Sequence, residues 1–290
     1  MERGHRDLTG WIWAVGRVDP DQGDGVWRAL SGLLLIHELA RTLQLALVLD
    51  TPAAEWRFGL ALAVLGCLVL WRWRPALACG LTALAVGVQV IWCFPFVANH
   101  LFVEALALAL VAVAGPERPL GIAGCRWVAV AVLGWSGLQK LLHGTWVQGS
   151  FLASAIAMEE GFAQAFAWLL PSGEVAALVA RGQPAPGSGE WALGSAAGLA
   201  ISNGTWLAEI LLAALLLKRR TRRWASWAAV ALILGVQLGA RELFFAGLMT
   251  VLLLSFQRAA WLRRLVPVLV VLDAALIASL AGWLPAWTFN

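Results

Sequence analysis

Apolar residues along this chain run in long blocks, and the short stretches between the blocks carry most of the charge. A hydrocarbon core about 30 Å thick takes roughly 17 to 25 mostly apolar helical residues to cross. That template marks nine spans, near 28–48, 56–73, 76–94, 97–114, 126–142, 200–217, 224–240, 242–257 and 265–285. Backbone inside a bilayer must satisfy its own hydrogen bonds, so each block predicts a helix. The expected fold class is all-α, a polytopic transmembrane helix bundle.

The cations between the blocks orient that bundle. "KRRTRR" at 218–223 belongs in the cytoplasm by the positive-inside rule. Alternation from there places sixteen basic residues inside and leaves only Arg57, Arg181 and Arg241 outside, with Arg41 and Lys140 at membrane depth. The N-terminus is then cytoplasmic and the C-terminus outside. Residues 1–26 lack the apolar core of a signal peptide and read as a cytoplasmic leader to a transmembrane domain over 27–290. The longest connection, 143–199, is expected outside, with an interfacial helix in "FLASAIAMEEGFAQAFAWLLP" followed by the loop "GQPAPGSGE".

Composition sharpens this picture. Of 290 residues 61% are hydrophobic and 13% charged, against about a quarter charged in soluble domains, and the mean hydropathy is +0.78. Eighteen Trp and no Tyr fit belts of amphipathic rings at headgroup depth better than nucleic-acid stacking. The basic pI near 9.3 is accounted for by loop cations, so the lipid bilayer, and no nucleic acid, is the expected partner. Cys67, Cys79, Cys93 and Cys125 form no CxxC or zinc-like spacing, which argues against a dithiol enzyme or a metal site.

With this topology the membrane-depth polar residues gather in the outer half. His37, Arg41 and Gln44 share one helical face, and Glu38 stands three before Arg41, in reach of it. Gln89 lies near an outer helix end; Asn99, His100 and Glu104 open the next helix; Ser136, Lys140 and His143 form a stripe; Glu209 lies several residues into its helix; and Gln237, Arg241 and Glu242 surround an outer turn. Ionisable residues in spans usually face a bundle interior and mark a pathway or reaction site. Taken one at a time, such residues are equally well explained as interhelical contacts. Arg41, His100, Glu104, Lys140 and Glu209, on five helices at similar depth, point to one outward-opening cavity. Lys140 is one of two lysines in the chain, and a desolvated lysine is able to serve as a base. Asn203-Gly-Thr matches a glycosylation sequon, a weak signal this close to the membrane.

Two stretches, "ANHLFVEALALAL" at 98–110 and "SGLQKLLHGTWVQGSF" at 136–151, resemble the transmembrane region of vitamin K-dependent gamma-glutamyl carboxylase and the wider HTTM superfamily. The shared pattern is Asn-His opening one helix, Ala/Ser-Gly-x-x-Lys-Leu ending the next, then Trp and Gly. "GTWLAEILLAALLLKRRTRRW" and "RELFFAGLMTVLLLSF" are weaker matches, and together the stretches cover roughly residues 28 to 257. The resemblance implies that Lys140 is the base that deprotonates reduced vitamin K, and that His100 is an active-site histidine. Asn99, Glu104, Arg41, Trp146 and Glu209 are the residues expected to bind the cofactor, a reduced vitamin K or menaquinone-type naphthoquinone, with O2 and CO2 as co-substrates. Gln237 stands where the family has histidine, and Gln139 where it has a second lysine.

The leading expectation is therefore a membrane-embedded carboxylase-like enzyme that modifies glutamate in a peptide. The sequence stops at "LPAWTFN" without the carboxylase's large lumenal region. The alternative is thus a non-catalytic HTTM protein that assists maturation, export or tolerance of a secreted peptide, with an accessory membrane protein as partner. A transporter would need broken helices in symmetric positions, and none is evident in the sequence. Localisation is expected in a bacterial cytoplasmic membrane, active side outward.

Overall fold

The computed structural model describes residues 20–48, 54–94, 99–115, 118–182, 191–240 and 242–280. Most of the leader, most of "GQPAPGSGE", Arg241, the C-terminal segment and the side chains of Cys93 and Asn99 lie outside the described residues. The described residues form twelve helices: α1 (Pro20–Val48), α2 (Ala54–Trp71), α3 (Pro75–Cys93), α4 (Asn99–Val113), α5 (Arg118–His143), α6 (Ser150–Met158), α7 (Glu160–Phe166), α8 (Ser172–Arg181), α9 (Ala196–Leu217), α10 (Arg222–Ala240), α11 (Leu243–Leu254) and α12 (Ala259–Leu280). The described residues of the nine apolar blocks lie mainly on helices, so the all-α expectation holds among them. Four helical segments, Gly23–Leu47, Pro75–Trp92, Pro119–His143 and Ala196–Leu217, are long and apolar enough to cross a membrane. With apolar side chains such as Leu62, Leu84, Ile91 and Trp92 at 66–82% exposure, they mark a membrane protein, because faces this greasy need lipid beside them.

The chain divides into two compact units. Of the described residues, the first holds those up to Ala129 together with those from Phe244 onward; the second holds those of Val130–Leu243. In the first, α1 is the buried centre, packed by α2, α3, α4 and α12. Trp27, Leu30, Leu33, Leu34 and Leu35 are almost wholly enclosed. Gly32 explains part of this fit: a Cβ there would come within 3.1 Å of the Trp71 ring, whose Nε1 donates to Ser31 Oγ at 2.8 Å. Pro75 begins α3 in the first helical turn, where its missing N–H costs nothing. The buried Arg126 donates through Nε (3.1 Å) and Nη2 (2.7 Å) to the Ser255 carbonyl just beyond α11, and its guanidinium lies 5.2 Å from the Phe256 ring centre.

In the second unit α10 packs on α9 and α7. The connection 143–199 is more structured than one interfacial helix. The chain turns extended at Glu159 (φ −120°, ψ 115°), splitting the apolar stretch into α6 and α7. These two and α8 close over a small core of Leu152, Ile156, Phe162, Leu170, Val175 and Leu178. Apolar periodicity alone did not show the break, because Met158-Glu159-Glu160 carries no Gly or Pro. Glu174 Oε1 accepts from the N–H groups of Gly194 (2.6 Å) and Ser195 (3.0 Å), and Ser195 Oγ caps α9 by accepting from Gly198 N at 3.0 Å. Burial pushes the Glu174 carboxyl up, but the bonds from Ser195 and Gly194 outweigh it and hold it below the usual carboxylate range.

Candidate functional site

Lys140 sits near the end of α5, and its position on that helix is set by Gly137. A Cβ at Gly137 would come within 2.8 Å of both Ile210 Cγ1 and the Trp206 carbonyl oxygen, and within 3.1 Å of Glu209 Cβ. Only glycine lets the two backbones approach this closely, the device by which small residues join helices in membranes. Gly134, one turn earlier, meets Ala213 of α9 in ordinary contact at 3.5 Å. The contact delivers Lys140 to Glu209: Nζ donates to Oε1 and Oε2, both at 2.7 Å, and to Ser136 Oγ at 2.7 Å. Three donors thus meet three oxygens. The Lys140 and Glu209 side chains are 16% and 5% exposed.

Trp146 covers this pair, its ring centre 5.0 Å from Nζ and stacked on Phe151 at 4.7 Å. The loop carrying Trp146 turns at Gly144 and Gly149, both with positive φ (72° and 73°), a conformation that favours glycine. It is fastened to α9: Ser202 Oγ donates to the Trp146 carbonyl at 2.6 Å and Asn203 Nδ2 to the Val147 carbonyl at 3.1 Å. Asn203 Oδ1 in turn accepts from Trp206 Nε1 at 3.0 Å. The sequon asparagine is therefore a helical residue engaged with main chain and indole, a structural reason for its presence. Gln237 has a comparable task, its Oε1 accepting from Glu242 N at 2.9 Å across the turn after α10. His143 is exposed.

The first unit has its own polar centre. Arg41 Nε donates to Glu38 Oε2 at 2.8 Å and Nη2 to Glu38 Oε1, the pairing expected from their spacing. Nη2 also donates to Gln89 Oε1 at 2.8 Å. Glu104 lies 3.3 Å from Arg41 Nε and 3.9 Å from His37 Nε2. His100 is half-buried with its ring 6.5 Å from that of Phe245; the close neighbours of Glu104 are His37, Glu38 and Arg41. Gln89 also borders a groove of about 650 Å³ between α2 and α3, lined by Trp56, Leu60, Leu84, Val88 and Trp92. Arg41, His100 and Glu104 thus belong to the first unit, and Lys140, Trp146 and Glu209 to the second. The sequence signalled Gln89 as a polar group in an apolar helix but not its partner. It gave no warning that Gly137 seats Lys140.

No protein-family model, no curated protein and no solved structure matches this chain.

Proposed function

We propose that the protein is a membrane-embedded enzyme whose reactive group is Lys140, acting on a reduced quinone and oxygen to modify glutamate in a secreted or exported peptide. The observation that carries this is the convergence of Ser136, Glu209 and Trp146 on Lys140 Nζ, at the position where the Gly-x-x-Lys-Leu resemblance puts a base. The residues suit a naphthoquinone in kind: Trp146 offers a flat face and the Lys140–Glu209 pair a place for a proton. Lys140 and Trp146 would hold the ring, and the bound group would supply the electrons that reduce oxygen. To take a proton from a bound hydroxyl, Lys140 first passes one to Glu209, and the 2.7 Å contact is the path. His100, Asn99, Arg41 and Glu104, all of the first unit, enter by resemblance alone. Nine spans, a cytoplasmic N-terminus and an active side facing out of a bacterial cytoplasmic membrane complete the proposal.

The test is epoxide formation from vitamin K hydroquinone by purified protein in detergent, supplied with oxygen, bicarbonate and a short glutamate peptide, with Lys140→Ala beside the wild type. Epoxide from the wild type alone is expected; none from folded wild-type protein would remove the enzymatic reading. The second reading, a non-catalytic protein that assists a secreted peptide together with an accessory membrane protein, is favoured by one specific feature. A lysine whose donors are all matched by protein oxygens, beside a close glycine contact, also has the form of a helix-joining staple. On that reading a partner copurifies, and Lys140→Ala weakens the fold without abolishing a reaction.

A further inference from the structure

Five polar side chains of α1, α3 and α4 are buried together in the first unit: His37, Glu38, Arg41, Gln89 and Glu104, all between 0% and 7% exposed. Their formal charges do not balance, because one guanidinium faces two carboxylates. Arg41 gives its hydrogen bonds to Glu38 and Gln89. Glu104 receives a 3.3 Å approach from an Nε already donated to Glu38, and the Glu38 carboxylate itself lies beside it. Neither Glu104 oxygen has a hydrogen-bond partner among the described residues, and neither does His37 Nε2, 3.9 Å from Glu104 Oε1.

The imidazole is held in place by an apolar wall. Phe244 lies 6.0 Å from it, ring centre to ring centre, and a Cβ on Gly247 would come within 3.2 Å of its ring atoms. Of the other titratable groups on the packed helices, His100 is near enough to interact electrostatically with His37 and Arg41, and the rest are placed farther off. Asp24 and Arg28 lie more than two turns away along α1. On α2, Arg57 reaches the Leu45 carbonyl at 3.5 Å, and Cys67 is half-buried. Cys79 is the titratable residue of α3 with a described side chain, and α11 has none. On α12, Arg263 and Arg264 are exposed and Asp273 is half-buried. His100 of α4 lies beside Phe245.

An unbalanced charge in this setting is costly, and buried polar atoms seldom stay unbonded. One proton removes both difficulties at once. We propose that His37 and Glu104 form a proton-binding site: the folded protein holds a single proton on the pair, on the carboxyl or on the imidazole, with Nε2 and Oε1 drawing in from 3.9 Å to share it. Uptake of that proton brings the cluster to neutrality. The site is argued from the geometry of the first unit, and its test does not require the chemistry proposed for Lys140.

The proton is read spectroscopically on the full chain in lipid nanodiscs at neutral pH. Infrared spectra are compared for the wild type and Glu104→Gln, and nitrogen NMR spectra of labelled histidine for the wild type and His37→Gln. The expected result is one protonated species, either a buried carboxylic-acid stretch lost in Glu104→Gln or an imidazolium signal lost in His37→Gln. An ionised Glu104 together with a neutral His37 overturns the proposal. If Glu104→Gln fails to fold, the wild-type acid band and the His37 signal still decide, because their joint absence is the same refutation.

Discussion

Consider removal of the Lys140–Glu209 pair one partner at a time. Two unit charges 2.7 Å apart attract by about 6 kcal/mol at an effective dielectric constant of about 20. Taking both ions out of water cancels most of that, so the intact pair adds little net stability; removing one partner strands the other. With Glu209 only 5% and Lys140 16% exposed, Lys140→Met and Glu209→Leu are each expected to cost about 3 kcal/mol, the lower end for a broken buried pair. The double variant leaves no charge behind and is expected to cost clearly less than either single change, a coupling of more than about 3 kcal/mol. Unfolding free energies of the four proteins, from denaturant titration in mixed micelles, measure this directly. If the two single effects add to give the double effect, the ion pair is not the contact described here, and the account of how α5 is held on α9 fails with it.

Two further outcomes follow from local geometry. Gly137→Ala should destabilise by about 1–2 kcal/mol, because a Cβ pressed at 2.8 Å against the Trp206 carbonyl meets unyielding backbone. Gly204→Ala in the same unit, with open space around it, should stabilise by about 0.5–1 kcal/mol through helix propensity; equal melting shifts in the two would refute the close contact. Because hydrogen bonds hold the Glu174 carboxyl low, its tie to Gly194 and Ser195 is present above the ordinary carboxylate range and is lost as pH falls through the depressed value. Hydrogen exchange at the Gly194 and Ser195 amides should therefore be faster in Glu174→Gln than in the wild type at neutral pH, and the gap should close in acid.

The sequence by itself determined the material and the elements of this protein. Apolar blocks of membrane-crossing length leave the backbone no choice but helix, and the described residues of the nine blocks are mainly helical. The Glu38–Arg41 pair was legible too, because a three-residue spacing on a helix fixes which side chains meet. Tertiary structure decided what spacing along the chain does not encode. Lys140 finds Glu209, 69 positions away, because Gly137 removes a side chain where α9 crosses, and an absent Cβ leaves no mark in a hydrophobic pattern. The environment of Glu104 was decided in the same way. Its helix-mate His100 is one turn away in sequence, yet the groups around its carboxylate, Arg41, Glu38 and His37, come from α1. Which helix lies against which is settled by packing long apolar faces together, a property of whole surfaces. The residues that carry chemistry therefore meet wherever that packing leaves them.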